Sequence, residues 1–152
     1  MNRAPSAAGL VVARRTYAAS RQAVFEAFTQ ADQIARWLSP SDDVSTTVLE
    51  FDFRPGGAYR LAFHFPGGRT DYVVGRYLEI SEGTRLVYTW TWEEPDPFAG
   101  VETLVSVDFF DSGYGTTVLV NHDRFPTQER RSIHDDGWQA TLARLARLFE
   151  AT

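Results

Sequence analysis

Leu49-Glu50-Phe51-Asp52-Phe53-Arg54-Pro55-Gly56-Gly57-Ala58-Tyr59-Arg60-Leu61-Ala62-Phe63-His64-Phe65 is the stretch that decides the fold. Leu49, Phe51 and Phe53 alternate with Glu50 and Asp52, and Tyr59, Leu61, Phe63 and Phe65 alternate with Ala58, Arg60, Ala62 and His64. A period of two places each set on one face of an extended strand, and the Pro55-Gly56-Gly57 between the runs has the chemistry of a turn. The stretch predicts an antiparallel hairpin with one apolar face.

The pattern continues downstream. After Pro66-Gly67-Gly68 the apolar residues Tyr72, Val74, Leu78 and Ile80 predict a third strand, and Ser81-Glu82-Gly83-Thr84 turns into Leu86, Tyr88, Trp90 and Trp92. A polar, proline-bearing loop from Glu93 to Gly100 leads to a strand over 103–110, Asp111-Ser112-Gly113 turns again, and 116–125 completes the meander. Pro126-Thr127 then opens a long helix whose inward stripe is Trp138, Leu142, Leu145 and Phe149, with Arg144, Arg147 and Glu150 toward solvent.

Upstream, Leu10 to Tyr17 reads as a strand that stops at Ala18-Ala19-Ser20, and Ser20 is suited to cap a helix over 21–29 carrying Val24, Phe25 and Phe28. A second short helix begins at Asp32, turns Ile34, Trp37 and Leu38 inward and closes at Ser39-Pro40. The whole chain, 1–152, therefore reads as one α+β domain: strand, two short helices, six strands, long helix, with residues 1–9 a flexible tail. A seven-stranded sheet with only one long helix to cover it has to curl around that helix, which leaves room for a cavity. With 11 Phe, 6 Tyr and 4 Trp, aromatic rings are available to line it.

Composition removes several function classes. The 152 residues are 43% hydrophobic and carry a net charge of -5, which suits an ordered globular chain and not a disordered one. All 15 basic residues are arginine, so lysine Schiff bases and the phosphate-binding Walker lysine are excluded. Without cysteine there is no disulfide or thiolate metal site, and the scattered arginines form no basic stripe for nucleic acid. Ala7 to Ala13 is short for a signal h-region, and no apolar run approaches the roughly 20 residues that span a bilayer. A cytoplasmic location with no membrane span is the expectation.

No catalytic constellation stands out. His64, His122 and His134 share no metal-ligand spacing, and neither a metal nor a cofactor is called for. His134-Asp135-Asp136 points three ways around a helix and reads as a solvated turn. Glu50 and Asp52 share a strand face roughly 7 Å apart, but the apolar opposite face makes solvent exposure the expected reading. Arg60 and Arg76 could reach an acidic group yet are expected to snorkel to the surface. There is no Gly-x-Ser-x-Gly nucleophile elbow, and Gly113 to Gly115 is a hairpin without a dinucleotide pattern. His122, late in an alternating strand between Val120 and Arg124, is the histidine placed to face a cavity and bond a ligand carbonyl or hydroxyl, with an ordinary structural histidine as the competing reading.

Several pieces in fixed order resemble a known family. They are Ala18-Ala19-Ser20 before Val24-Phe25-Glu26-Ala27-Phe28, Arg36-Trp37 with Pro40, and Arg54-Pro55-Gly56-Gly57 before Tyr59. There follow Gly75 with Leu78-Glu79-Ile80, Leu86-Val87-Tyr88-Thr89-Trp90, His122 before Phe125-Pro126, and Gly137-Trp138 with Leu142 and Leu145. The chain resembles the SRPBCC superfamily, also called START-like or helix-grip, and within it the heat-shock-protein-90 ATPase activator homologues. The resemblance implies a seven-stranded antiparallel sheet curled around the C-terminal helix, two small helices at one end, and an internal cavity for apolar ligands.

Patterning and resemblance together nominate Trp37, Phe63, Trp90, Trp92, His122, Trp138 and Leu142 as the ligand-binding set. The leading expectation is binding of a small apolar molecule, lipid-like or aromatic and polyketide-like. The alternatives are a cyclase or hydrolase using His122 to move protons, and a chaperone-interacting module using the acidic 93–96 loop. The eukaryotic activators carry a further N-terminal domain, for which about ten residues before the first strand leave no room, so chaperone activation is not carried over. An exposed edge strand leaves a homodimer open.

Overall fold

The computed structural model describes residues 9–150; residues 1–8 of the expected tail lie outside the described residues. Seven strands form one antiparallel sheet: β1 (Val11–Tyr17), β2 (Ser45–Phe51), β3 (Ala58–His64), β4 (Thr70–Ser81), β5 (Arg85–Trp92), β6 (Glu102–Ser112) and β7 (Gly115–Asp123). The sheet order is β1-β7-β6-β5-β4-β3-β2. Strands β2 to β7 are a meander of sequence neighbours, and β1 joins the far edge by pairing with β7. Two helices, α1 (Arg21–Thr29) and α2 (Ala31–Trp37), carry the chain from one sheet edge to the other, and α3 (Gln128–Leu145) fills the concave face. The family's expected helix-grip architecture is present. No helix among the described residues is long and apolar enough to cross a membrane.

Alternation sets which face turns inward. On β7, β6 and β5, Val118, Val120 and His122 stand beside Val105, Val107 and Phe109, then Leu86, Tyr88 and Trp90, all buried. The expected phase fails in two places, and a bulge is involved in both. In β2 the register slips between Val48 and Glu50, so Leu49 points outward at 48% exposure while Phe51 still packs on the core. In β4 the buried set is Val73, Gly75 and Tyr77, not Tyr72, Val74 and Leu78, and a slip between Tyr77 and Glu79 then returns Ile80 to the core side.

Gly75 explains why β4 was misread. It stands opposite Tyr59 in the β3–β4 register, and a Cβ there would lie 2.0 Å from the Thr89 carbonyl oxygen and 2.5 Å from the Tyr59 ring. The glycine gives up its own apolar contribution so that the Tyr59 ring can cross it and donate its hydroxyl to Thr89 O at 2.6 Å. Counting apolar residues therefore favoured the wrong face.

The helices are locked by a few buried bonds. Ser20 Oγ accepts from the Ala23 N–H and Thr127 Oγ1 from the Arg130 N–H, both at 3.1 Å, capping α1 and α3. Trp37 Nε1 donates to Ala27 O at 2.8 Å, tying α2 to α1. Tyr17 Oη donates to Leu142 O at 2.7 Å, anchoring α3 on β1, where Leu142 and Leu145 are buried. Thr46 Oγ1 donates to Leu38 O, and Thr141 Oγ1 to Ser39 O, which holds the Leu38-Ser39-Pro40 segment between β2 and α3. Arg144, expected in solvent, is only 17% exposed, and it shares Asp42 with Arg147.

Candidate functional site

One face of α3 and three strands enclose the site. Helical spacing brings Arg130, Ile133, His134, Gly137, Trp138 and Thr141 onto a single stripe, at offsets of 0, 3, 4, 7, 8 and 11. Opposite stand Phe63 of β3 and Trp90 and Trp92 of β5, and the Leu38–Pro40 segment closes one side. Between them lies a cavity of about 300 Å³. Its aromatic walls support one another: Phe63 and Trp92 centroids are 5.7 Å apart, Trp90 and Trp92 5.8 Å, and Trp90 and Trp138 6.4 Å.

The charged groups around the cavity are paired with each other. Arg130 Nη2 donates to Asp96 Oδ1 at 3.1 Å, with both side chains about nine-tenths buried, and the guanidinium lies 4.1 Å over the Phe98 ring. Arg69 reaches Asp71 at 3.3 Å and covers Phe65. Among the described residues these four are the only carboxylates and guanidiniums lining the cavity, so its wall carries no uncompensated charge.

Both inner histidines are neutral, and their tautomers follow from their partners. An indole N–H can only donate. Trp92 Nε1 donates to His134 Nε2 at 3.0 Å, so His134 carries its proton on Nδ1 and donates to Arg130 O at 2.9 Å. Trp138 Nε1 donates to His122 Nδ1 at 3.0 Å; His122 Nε2 then donates to Thr103 Oγ1 at 2.7 Å, and the Thr103 hydroxyl donates to Trp90 O at 2.8 Å. Burial, reinforced by the Arg130 charge, lowers the His134 pKa to about 4, even though Asp96 and the Arg130 carbonyl act the other way. Burial and then the neighbouring His134 hold His122 well below the usual imidazole range. Neither ring keeps a free lone pair for proton abstraction.

The nominated residues divide. Phe63, Trp90, Trp92 and Trp138 line the cavity. Trp37 does not: it packs on Phe28 beside a separate void of about 30 Å³. Leu142 belongs to the core one turn beyond, and His122 is sealed behind the wall, where it holds Trp138 and Thr103 instead of facing a ligand. His134 corrects the solvated-turn expectation: it is 8% exposed and part of the wall, while Asp136 is exposed. In the acidic loop, Asp96 turns inward to Arg130 and Glu93 is held by both Arg60 Nε and Nη2, while Glu94 is exposed. Glu50 is exposed, and Arg76 is committed to Gly56 O.

Sequence reasoning missed Arg130, His134, Gly137 and Thr141. The signal was present as their spacing from Trp138, but Arg and Gly carry no apolar weight in a search for an inward stripe.

The family model described as Activator of Hsp90 ATPase homolog 1-like protein matches residues 18–150. No curated protein matches the chain. Among solved structures, protein CV1439 of Chromobacterium violaceum is similar at 28% identity and TM-score 0.85, covering 95% of this chain and 99% of its own. A Silicibacter pomeroyi protein aligns at 20% identity and TM-score 0.81 over 91% of this chain and 96% of its own. A protein from the dynemicin biosynthetic locus aligns at 19% and 0.73, over 91% of this chain and 46% of its own. The last two likenesses concern the fold alone.

Proposed function

The chain belongs to the Activator of Hsp90 ATPase homolog 1-like family, and from that premise we propose that it is a binding protein for a small apolar molecule held between α3 and the sheet. The observation that carries this reading is the cavity of about 300 Å³ walled by Phe63, Trp90, Trp92 and Trp138. Its size stands at the lower end of ligand pockets, roughly 300–1,000 Å³, which suits a compact aromatic molecule better than a long-chain lipid.

Neither alternative gains from the geometry. A cyclase or hydrolase that moves protons through His122 needs a nitrogen free to accept, and both nitrogens of that ring are engaged. A chaperone-docking loop at 93–96 needs its acidic groups outward, and Asp96 is paired within the cavity wall.

Native mass spectrometry of the protein incubated with a panel of uncharged aromatic compounds and fatty alcohols, each at its solubility limit, tests the reading. A one-to-one complex with aromatic members is expected. Failure of every compound to form a complex contradicts it.

A further inference from the structure

Gly137 lies in the middle of the 18-residue α3, where glycine is a poorer helix former than alanine. Two structural circumstances force a glycine on a chain: a positive φ, or a neighbour too close to admit a Cβ. Gly137 meets neither. It is absent from the positive-φ glycines, and a Cβ built on it would find no atom within 4 Å. Gly75 illustrates the second circumstance, with backbone oxygen 2.0 Å from the same point. What lies in front of Gly137 is the cavity itself.

A second observation concerns the adjacent turn. Ile133, four residues before Gly137 on the same stripe, is 54% exposed yet borders the cavity. It gives the opening an apolar lip beside the bare helix backbone. The wall beyond offers ring faces, two internally paired ion pairs, a neutral imidazole with both nitrogens occupied, and the unpartnered N–H groups of Trp90 Nε1 and Arg130 Nε. An ionised ligand group would lose its water there without gaining an unpaired counter-charge.

We propose that Gly137 is the specificity-determining residue of this cavity: its missing side chain admits a flat, uncharged, fused-ring aromatic molecule that lies against the α3 backbone. This rests on the binding reading and deepens it by naming the ligand's shape and charge and the residue that selects them. The glycine weakens the helix and is retained for the space it leaves, so stability and binding respond to its replacement in opposite directions.

The test uses two fluorescent probes with the same ring skeleton, N-phenyl-1-naphthylamine, which is uncharged, and 8-anilino-1-naphthalenesulfonate, which carries a sulfonate. The wild-type protein is expected to bind the uncharged probe at least about tenfold more tightly. Gly137→Ala is expected to raise Tm by about 3 °C while weakening the uncharged probe about tenfold, and Gly137→Leu to weaken it further. The alanine variant adds one methyl into open space and keeps the comparison available if the leucine variant does not fold. Equal affinity of wild type and Gly137→Ala for the uncharged probe, or equal affinity of wild type for the two probes, overturns the proposal. If wild type binds neither this probe nor any compound of the panel, the binding reading itself has failed and the inference falls with it.

Discussion

Trp92 donates its indole N–H to Nε2 of His134 across 3.0 Å, a bond that exists only while the imidazole is neutral. It joins β5 to α3 across the cavity wall, so the state of one proton is tied to the packing of the site.

Stability is expected to fall on mild acidification through this histidine. Its pKa is about 4 in the folded protein against 6.5 for the ordinary side chain, so below pH 6.5 the unfolded chain takes up a proton that the folded one refuses. The contribution is intact above 6.5, declines as pH drops, and levels off below 4. Between pH 7 and 5 the loss is about 2 kcal/mol. Urea denaturation at both pH values should show it in wild type and show it reduced in His134→Gln, which cannot titrate.

Thr103→Val should destabilise the protein by about 1–3 kcal/mol. The hydroxyl accepts from His122 Nε2 and donates to Trp90 O, and its removal leaves both buried groups without that partner. An unchanged urea midpoint would mean that the chain from Trp138 through His122 to Thr103 is not formed.

The Arg130–Asp96 pair should be asymmetric in its response. Asp96→Ala leaves a buried guanidinium without its carboxylate and is expected to cost about 3–5 kcal/mol, whereas Arg130→Met with Asp96→Leu should cost far less. The exposed Arg147–Asp42 pair provides the contrast, with Arg147→Ala expected to leave Tm close to that of wild type. Thermal melts of the three variants decide the matter.

Gly75→Ala should act opposite to Gly137→Ala. At position 75 the new methyl collides with Thr89 O and the Tyr59 ring, so the strand or the ring must move. A fall in Tm is expected there. A Gly75→Ala protein as stable as wild type would contradict the packing of Tyr59 across β4.

The strand order and the helix positions were legible because alternation, turn residues and caps act locally: Pro55-Gly56-Gly57, Ser20 and Thr127 announce themselves. Leu49 was misplaced because a bulge shifts the inward phase by one residue and leaves no sign in composition, and Leu78 because the inward phase of β4 runs through the bare Gly75 before a bulge returns Ile80 inward. The aromatic wall was legible at Phe63, Trp90, Trp92 and Trp138, which follow simple periodicity. For His122 the sequence leaves two readings open. Its strand position does turn it inward, but whether an inward polar group meets a ligand or another side chain depends on a tertiary contact with Trp138, 16 residues away. Asp96 was read as part of an exposed acidic loop and Arg130 was not singled out, and only the fold brings the two together.

The most direct measurement of the central claim follows the four indole N–H signals in a two-dimensional proton–nitrogen spectrum during titration with N-phenyl-1-naphthylamine. Trp90, Trp92 and Trp138 border the cavity, while Trp37 donates to Ala27 O beside a different void. The three cavity indoles are expected to shift together while Trp37 stays in place. Four unmoved signals, or movement of Trp37 alone, would contradict a ligand site between α3 and the sheet.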